Sequence, residues 1–297
     1  MIRCLLLLLL ALPALGREVA VTFDDLPDVD DDMHSIGRQT LITNALVSRL
    51  VAAHVPAIGF VNEEKLDDDP RSVSLLETWH REGLELGNHT WSHSELKEVG
   101  PDEFTCDIAR GDAVTRRILG RPPLWFRHPY LETGDTAADR NAVDAFLALH
   151  GYEVAPVTID DSDWIYATAY DIASWWQRPF IRHSYINYMR RRFEWAEHES
   201  HLVFGRDIPQ VLLLHASALN ADTFPDLARM IRTRGYDFVP LAEAVSDSAY
   251  ASPDTWVGGG VGWLERWGVT AGLDERIFES DPHVPGWIQR MAKERED

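Results

Sequence analysis

The chain has 297 residues, of which 45% are hydrophobic and 26% are charged. This composition is typical of a globular protein and excludes a wholly disordered chain, a collagen, a coiled coil and a polytopic membrane protein. Lys and Arg together number 28 and Asp and Glu 48, which gives a formal net charge of −20. A surface this acidic argues against nucleic acid and anionic lipid as partners, because both bind to basic patches.

The first 16 residues have the pattern of a secretory signal peptide. Arg3 precedes an apolar run, Cys4–Leu15, in which six leucines are consecutive. The run is too short to span a bilayer, and the small residues Ala14 and Gly16 occupy the two positions that a signal peptidase recognises. We therefore expect cleavage after Gly16 and export to the periplasm or cell exterior, with no integral membrane segment afterwards. A buried first strand or helix is the alternative, but the leucines have no amphipathic period.

Short apolar segments that predict strands alternate with longer segments that predict helices. The predicted strands are Glu18–Phe23, Ala57–Val61, Glu85–Gly87, Leu124–Phe126, Glu153–Ile159, Gln210–Leu214 and Asp237–Val239. The predicted helices are Ile36–Ala53, Ser72–Glu82, Pro101–Leu119, Asp139–His150, Tyr170–His198 and Phe224–Arg234. This alternation indicates parallel strands and an α/β fold, and about seven units favour a closed or nearly closed (β/α) barrel. An open doubly wound sheet is the alternative, but no Gly-rich dinucleotide loop follows the first strand.

Two segments lie outside this repeating pattern. Residues 165–209 are longer than one crossover helix requires and are expected to form a helical insertion over one rim of the barrel. Residues 251–297 are rich in Gly and Trp and are expected to form an irregular extension packed on the barrel, ending in an exposed helix. The expected organisation is therefore a signal peptide at 1–16, a barrel at 17–250 and a C-terminal extension at 251–297.

Reactive side chains follow five of the predicted strands at their carboxyl ends. In chain order they are Asp24 and Asp25, His89 and His93, Arg127 and Tyr130, Asp160, Asp163 and Trp164, and finally His215. The carboxyl ends of barrel strands share one face, and that face carries the active site of barrel enzymes. The sequence therefore predicts that these residues meet in one site.

The spacing of His89 and His93 suits metal binding. On a helical turn, residues i and i+4 face the same way, with Cβ atoms about 5–6 Å apart. One carboxylate added to them would complete a site that leaves positions open for water and substrate. Neighbouring strand residues point to opposite sides, so one of Asp24 and Asp25 is expected to face the metal while the other takes a second role. The alternatives are a solvated helix face and a turn-capping Asp pair. Further acidic residues, which lack the spacing of a calcium loop and are expected to form a solvated loop, are Asp28, Asp30, Asp31 and Asp32.

Five motifs together resemble those of the NodB-like polysaccharide deacetylases, also called carbohydrate esterase family four. They are Thr22-Phe23-Asp24-Asp25, His89-Thr90-Trp91-Ser92-His93, Arg127-His128-Pro129-Tyr130, Asp160-Asp161-Ser162-Asp163-Trp164 and Leu213-Leu214-His215, in this order. The resemblance covers residues 18–245. It implies a distorted (β/α) barrel and one divalent metal ion, usually zinc, with Co, Ni, Mn and Fe as alternatives.

The resemblance also implies a role for each motif residue. The implied metal ligands are Asp25, His89 and His93. The implied catalytic residues are Asp24 as general base, Arg127 holding Asp24, His215 as general acid and Asp160 paired with His215. The implied substrate contacts are the backbone N–H of Tyr130 in the oxyanion hole, with Trp164 and Leu213 around the acyl group.

The function expected from these features is that of an exported, metal-dependent hydrolase that removes N-acetyl, or O-acetyl, groups from a carbohydrate. One alternative is a hydrolase of the same fold that acts on a small cyclic amide or imide, a reaction that usually belongs to the cytosol. The other is a carbohydrate-binding protein without catalysis. The signal peptide argues against the first alternative, and the complete set of motif residues argues against the second.

Overall fold

The computed structural model describes residues 17–30, 35–67 and 69–294. The expected signal peptide at 1–16 lies outside the described residues. Among those described, seven strands form one parallel sheet: β1 (Arg17–Leu26), β2 (Ala57–Val61), β3 (Glu85–Asn88), β4 (Trp125–Phe126), β5 (Glu153–Val154), β6 (Gln210–His215) and β7 (Tyr236–Phe238). Their order is β5-β4-β3-β2-β1-β6, and β7 pairs with the first residues of β1. The α/β fold predicted from the sequence is confirmed.

The sheet curls until the chain that leaves its β5 edge reaches β6. The N–H groups of Thr158 and Ile159 both donate to the carbonyl of Val211, and the N–H of Leu213 donates to the carbonyl of Ile159. The segment that begins as β5 therefore bonds to β4 at its start and to β6 at its end. This geometry confirms the predicted distorted (β/α) barrel.

Helices connect the strands and cover the outside of the sheet. They are α1 (Ile36–Ala52), α2 (Arg71–Arg81), α3 (Leu96–Arg110), α4 (Ala113–Leu119), α5 (Ala137–His150), α6 (Asp163–Ile172), α7 (Arg178–Phe204), α8 (Ala218–Thr233), α9 (Leu241–Ala244), α10 (Trp263–Thr270) and α11 (Gly286–Lys293). Short 3₁₀ turns lie at Glu63–Leu66, Pro129–Leu131, Ser248–Ala251 and Glu275–Ser280. Among the described residues, no helix is both long enough and apolar enough to cross a membrane.

Two of the predicted helices are each divided in the structure. The predicted helix Pro101–Leu119 breaks at Gly111, where a Cβ atom would lie 2.4 Å from the carbonyl carbon of Thr90. The backbone can therefore approach the second motif only because this residue is glycine. The predicted helix Tyr170–His198 breaks after Ile172, and α7 begins with Pro179 in its first turn, a position that proline favours.

Both faces of the sheet are buried, which explains the continuous apolar runs of its strands. Val19, Val21 and Phe23 of β1 belong to the large cluster under the surrounding helices. Ala20 belongs instead to a second cluster inside the barrel, together with Phe60 and other strand residues. Parallel sheets covered on both faces have this pattern, because neither side of the strand meets water.

The insertion and the C-terminal extension both pack against the barrel. The α7 helix has 27 residues, about 40 Å at 1.5 Å per residue, and it buries Tyr185, Tyr188 and Phe193. In the extension, α11 packs against α6 and fully buries Ile288. The expectation of an exposed last helix is therefore wrong for its apolar side, although Trp287 remains 42% exposed.

Candidate active site

The site residues predicted from the sequence surround a cavity of about 440 Å³ at the carboxyl ends of the strands. Those that line it are Asp24, Asp25, His89, His93, Tyr130, Asp160, Trp164, Leu213 and His215. The remaining one, Arg127, is fully buried behind Asp24. The cavity wall also includes residues that the sequence did not single out for this site, which are Val29, Lys65, His128, Leu131 and Gly260.

A bulge in β1 turns both aspartates of the first motif toward the cavity. β1 has one extra residue between its pairings with Gly59 and Val61. Asp25 occupies that stretch with a φ of 62°, a left-handed backbone that Asp adopts more readily than most residues. The Nε2 atom of His89 lies 3.8 Å from an oxygen of Asp24 and 3.7 Å from one of Asp25. The expectation that the two side chains point to opposite sides of a regular strand is wrong.

The two histidines are brought together by a turn rather than by a helix. The side-chain oxygen of Asn88 accepts the N–H of Thr90 at 2.7 Å, and the Thr90 hydroxyl accepts the N–H of His93 at 2.9 Å. Thr90 and His93 have φ angles of 66° and 55°. The ring centroids of His89 and His93 are 4.8 Å apart. The side-by-side imidazoles are as predicted, but the helical turn expected to hold them is wrong.

Asp25, His89 and His93 are arranged as a set of metal ligands. The Nε2 atoms of His89 and His93 lie 3.7 and 3.6 Å from the same oxygen of Asp25. Ligand atoms bound tetrahedrally to zinc at about 2.0–2.1 Å are separated by about 3.4 Å. That Asp25 oxygen is buried and accepts no hydrogen bond from the described residues. The three side chains therefore fit a divalent metal ion.

The protonation states of these side chains also suit a metal. His89 donates its Nδ1–H to the carbonyl of Arg127 at 2.8 Å, so its unprotonated Nε2 faces Asp25. Burial lowers the pKa of His89 well below its ordinary value, which keeps the imidazole neutral. Burial alone would raise the pKa of Asp25, but the Lys65 ammonium, followed by His93 and His215, holds it below its usual range. Metal ligation requires this neutral imidazole and this ionised carboxylate.

Lys65 is a cavity residue that sequence reasoning missed. Its Nζ lies 4.0 Å from the Asp25 oxygen and donates to the carbonyl of Asp28 at 3.1 Å. It lies in the 3₁₀ turn Glu63–Leu66, directly after β2. Its position after the second strand is the signal that indicates it, because polar residues at the carboxyl ends of barrel strands share the active face.

Asp24 lies in a setting that suits a general base. Burial raises the pKa of Asp24 to about 6, although the Arg127 guanidinium opposes the change. The Nε atom of Arg127 is 3.9 Å from an oxygen of Asp24, too far for a hydrogen bond, so Arg127 acts on it as a neighbouring charge. Arg127 is itself held by Thr22, whose hydroxyl accepts Nη2–H at 2.9 Å. Asp24 can thus be ionised at neutral pH and still accept a proton.

His215 is paired with Asp163, not with Asp160. The Nδ1 atom of His215 lies 2.5 Å from one oxygen of Asp163, and its backbone N–H donates to the other at 2.9 Å. Asn220 donates to the same carboxylate. The expected pairing with Asp160 is wrong because Ser162, at a φ of 51°, reverses the chain and starts α6 at Asp163. Burial alone would lower the pKa of His215, but Asp163 raises it to about 10.

Aromatic and apolar side chains form the mouth of the cavity. The ring of Tyr130 meets that of His93 edge-on at a centroid distance of 4.5 Å. Tyr130 and Trp164 are each about half exposed, whereas Leu213 is buried. These positions are compatible with the contacts expected for an acyl group. The role expected for the Tyr130 N–H stays a prediction.

Backbone strain among the described residues is concentrated at this cavity. Non-glycine residues with left-handed φ angles in or beside the motifs are Asp25, Thr90, His93, Tyr130, Leu131 and Ser162. Only His54, of the described residues, has such a conformation elsewhere. Each costs about 1–3 kcal/mol and persists only where the surroundings hold it. Such clustering is typical of a functional site.

The acidic loop after β1 is partly buried, contrary to expectation. Asp28 is fully buried and Asp30 nearly so. Arg38 of α1 donates to Asp28 at 2.6 Å and to Asp171 of α6 at 2.8 Å, which ties the loop to two helices. The solvated loop predicted here is therefore wrong for Asp28 and Asp30, while residues 31–32 lie outside the described part of the chain.

A larger cavity, of about 830 Å³, lies between α7 and α8. Arginines line it, but carboxylates accompany them: Arg17 and Arg234 both bind Glu197, and Arg229 binds Asp226. It holds none of the motif residues. The smaller cavity, which the motif residues line, is therefore the candidate active site.

Comparison with known proteins finds a family model that matches the part of the chain containing the first three motifs. Residues 13–147 match the sequence model of the polysaccharide deacetylase family. A peptidoglycan-N-acetylglucosamine deacetylase of Bacillus cereus is 32% identical over 115 residues, which are 39% of this chain and 37% of that protein. A chitin deacetylase of Pestalotiopsis is 28% identical over 145 residues, 49% of this chain and 43% of that protein. The chain thus spans less than half the length of these curated relatives.

Solved structures share the fold. A polysaccharide deacetylase from Bacillus cereus superposes with a TM-score of 0.54 at 18% identity, covering 75% of this chain and 91% of that one. A family 4 pseudoenzyme from Bacillus anthracis gives 0.55 at 13% identity, covering 77% and 66%. Identities this low show the fold alone. The resemblance to the polysaccharide deacetylases that the motifs predicted is thus confirmed: residues 13–147 match the family model, and the fold is that of solved members.

Proposed function

We propose that the protein is an exported, metal-dependent deacetylase that removes N-acetyl groups from a carbohydrate of the cell wall or a similar polymer. The observation that carries the proposal is one cavity in which Asp25, His89 and His93 form a ligand triangle beside Asp24 and His215. A candidate ligand set, a buried base and a cationic acid are the parts that amide hydrolysis by water requires.

Asp24 is the proposed base. A divalent ion held by Asp25, His89 and His93 would supply Lewis acidity toward water and the acetyl carbonyl. Asp24 lies beside this set, 3.8 Å from His89 Nε2, where it can take the proton that the attacking water loses. A pKa of about 6 leaves it ionised at pH 7 yet close enough to that pH to be an effective base.

His215 is the proposed acid. An amine leaves poorly unless its nitrogen is protonated, so the acid must carry a proton when the C–N bond breaks. Asp163 keeps His215 protonated at neutral pH by raising its pKa to about 10. By accepting Nδ1–H it also fixes the ring, so that Nε2–H is the group presented to the substrate.

The relatives support an acetylated glycan as the substrate. Those matched in sequence are deacetylases of peptidoglycan and of chitin. The predicted signal peptide at 1–16 supports export, which would bring the protein to such a polymer. Zinc is the proposed metal, because two imidazoles and one carboxylate with an open position match catalytic zinc sites.

A catalytically inactive carbohydrate-binding protein is the second candidate. It is kept because solved structures with this fold include family 4 pseudoenzymes. In this chain, however, Asp24, Asp25, His89, His93 and His215 all line the cavity. The complete set favours an active enzyme.

The test is acetate release from N-acetylated chitooligosaccharides and from peptidoglycan, measured with zinc, with chelator, and after zinc is restored. We expect turnover that chelator abolishes and zinc restores, and none on a small cyclic imide offered in parallel. Binding of the glycans without acetate release at full zinc occupancy would instead identify an inactive carbohydrate-binding protein. Release that chelator leaves unchanged would refute the metal-dependent mechanism.

A further inference from the structure

The C-terminal extension forms part of the cavity wall, although it lies outside the residues that match the family. Gly260 lines the cavity, and its N–H donates to the carbonyl of Tyr130 at 3.3 Å. The N–H of Gly258 donates to the carbonyl of Gly134 at 2.7 Å. Both bonds join the extension to the segment 129–134, which we call the Tyr130 turn.

Arg266 of α10 reaches the same turn from beneath. Its side chain is fully buried, and its guanidinium donates to the carbonyl of Leu131 and, at 3.1 Å, to the hydroxyl of Thr133. A third bond, at 3.0 Å, goes to the carbonyl of Val261 in the extension itself. The guanidinium also lies 4.1 Å from the ring centroid of Trp263. Burying a charged group is costly unless it is well hydrogen-bonded. These bonds therefore offset the cost of burying the guanidinium and hold it against the turn.

A second arginine, Arg140, holds an earlier part of the extension. Arg140 of α5 donates to the carbonyl of Trp256 at 2.8 Å and pairs with Asp254 at 3.2 Å. The residues between Asp254 and Arg266 are therefore held at both ends. The Tyr130 turn lies against the segment between these two fixed points.

The Tyr130 turn needs such support. Tyr130 and Leu131 both have a φ of 54°, and two consecutive left-handed residues with side chains are strained. Without external bonds the turn would relax toward ordinary backbone angles. It also places the Tyr130 ring against His93, so relaxation would reshape the mouth of the cavity.

We propose that Arg266 is a positioning residue that holds the Tyr130 turn in its strained conformation, and that the extension is thereby part of the active site. The effect on turnover rests on the proposed function. The effect on the turn rests on the contacts alone. Arg266 touches none of the three proposed metal ligands, so its loss should leave metal binding intact.

The experiment compares the Arg266→Gln, Arg266→Lys and Thr133→Val variants with Arg276→Gln as the matched control. Arg276 lies in the same extension, is exposed, and pairs with Asp274. Amide hydrogen exchange is measured across the chain, together with zinc affinity and kcat and KM for acetate release. Thr133→Val removes one bond to Arg266 while keeping the buried arginine, so it tests the proposal even where Arg266→Gln does not fold.

In Arg266→Gln we expect exchange in residues 129–134 to rise about tenfold or more and kcat to fall about ten- to a hundredfold. Thr133→Val should show smaller changes in the same direction, Arg266→Lys should recover part of the loss, and zinc affinity should stay within about twofold of the wild type. Unchanged exchange in the Tyr130 turn of Arg266→Gln and Thr133→Val would overturn the proposal. So would a uniform rise in exchange with parallel loss of zinc, which would indicate a merely structural arginine. A wild type without acetate release would refute the proposed function, while the exchange result would still decide the role of Arg266.

Discussion

Two adjacent carboxyl groups, Asp24 and Asp25, are given different chemistry by their surroundings. Burial raises the pKa of Asp24 to about 6, with Arg127 opposing. Burial acts on Asp25 in the same direction, but Lys65 and the histidines outweigh it and hold its pKa low. Groups whose environments push their pKa values apart are suited to different tasks, here proton transfer and metal ligation. Asp24 can accept a proton near neutrality, whereas Asp25 stays ionised as a ligand requires.

Replacement of the base tests this division. Asp24→Asn is nearly isosteric but cannot accept the proton, so we expect turnover to fall by about 10²–10⁴ while zinc stays bound. In the wild type the base is ionised above its pKa, so kcat/KM should fall as pH drops through about 6. The variant should lack this acidic limb. Zinc content is measured in Asp24→Asn and Asp25→Asn together, and equal loss in both would contradict the assignment.

Replacement of the carboxylate beside the acid tests the pairing of His215. The acid is protonated below its pKa of about 10, so the wild type should lose activity only as pH rises toward that value. In Asp163→Asn the pKa should return toward the ordinary value of about 6.5, which at pH 8 lowers the protonated fraction roughly thirtyfold. We therefore expect the basic limb of kcat/KM to move to lower pH.

Asp160→Asn is the matched control for that experiment. Asp160 belongs to the same motif and lines the same cavity, but the described contacts pair His215 with Asp163. The position of the basic limb in Asp160→Asn should therefore match the wild type, with zinc content measured in each protein. A limb that shifts in Asp160→Asn and stays in place in Asp163→Asn would restore the pairing expected from the sequence.

At the scale of residues, the sequence predicted which side chains meet, but not the direction in which each points or the partner that it bonds. Residue type and position after a strand were enough to bring Asp24, His89 and His215 to one face. Which side chains bond to each other depends on the backbone angles of single residues, and the sequence pattern does not encode those angles. The left-handed Ser162 selects Asp163 over Asp160, and the left-handed Asp25 turns both aspartates inward.

At the scale of elements, strands were easier to predict than helix ends. β2 has the predicted bounds, because a short apolar run buried on both faces gives a sharp signal. A helical pattern of apolar residues continues across a break when the residues on both sides of it favour a helix, so the pattern does not reveal where one helix ends. The break at 173–177 was missed because Trp175 and Trp176 continue an apolar pattern there, although both are exposed in the structure.

The exposed tryptophans of the insertion lead to a prediction at this scale. Trp164 lines the cavity at the start of α6, and Trp175 and Trp176 follow the end of the same helix, 84% and 56% exposed. The 10 residues of α6 span about 15 Å, so we expect these rings to contact a long glycan beyond its reacting unit. Replacing both with Ala should raise KM for long chitooligosaccharides about three- to tenfold, the effect of one or two lost ring contacts. It should leave the value for an acetylated monosaccharide unchanged.

The comparison requires a control for the loss of exposed apolar surface. Leu149→Ala serves, because Leu149 is 83% exposed on α5. Equal losses on long and short substrates in the double Trp variant would point to misfolding instead. Because Trp175 is 84% exposed, its ring does not pack the insertion onto the barrel.

At the scale of the whole molecule, the cavity unites distant parts of the chain. Asp25 lies near the end of β1, the histidines follow β3, His215 ends β6 and Gly260 belongs to the extension. The family match, by contrast, covers residues 13–147. The barrel was predictable because alternating strands and helices have few packing solutions. The part of the extension in the wall was not, because its Gly-rich loop has no period to indicate a partner.

Because the proposed ligands come from separate elements, metal binding should stabilise the folded chain as a whole. Zinc at a hundred times its dissociation constant adds about 2.7 kcal/mol to the free energy of unfolding. For a chain of 297 residues that corresponds to a Tm increase of roughly 4–5 °C, which chelator should reverse. His89→Ala and His93→Ala each lose one of three ligands, so they should lose most bound zinc, the Tm increase and the activity. The matched control is His54→Ala, because His54 is an exposed histidine outside the cavity. This variant should keep the zinc, the Tm increase and the activity.

The measurement is calorimetric Tm with and without zinc, alongside elemental analysis of each purified protein. Stoichiometric zinc in the double variant His89→Ala/His93→Ala would show that the metal binds elsewhere, because Asp25 alone cannot hold it against dialysis.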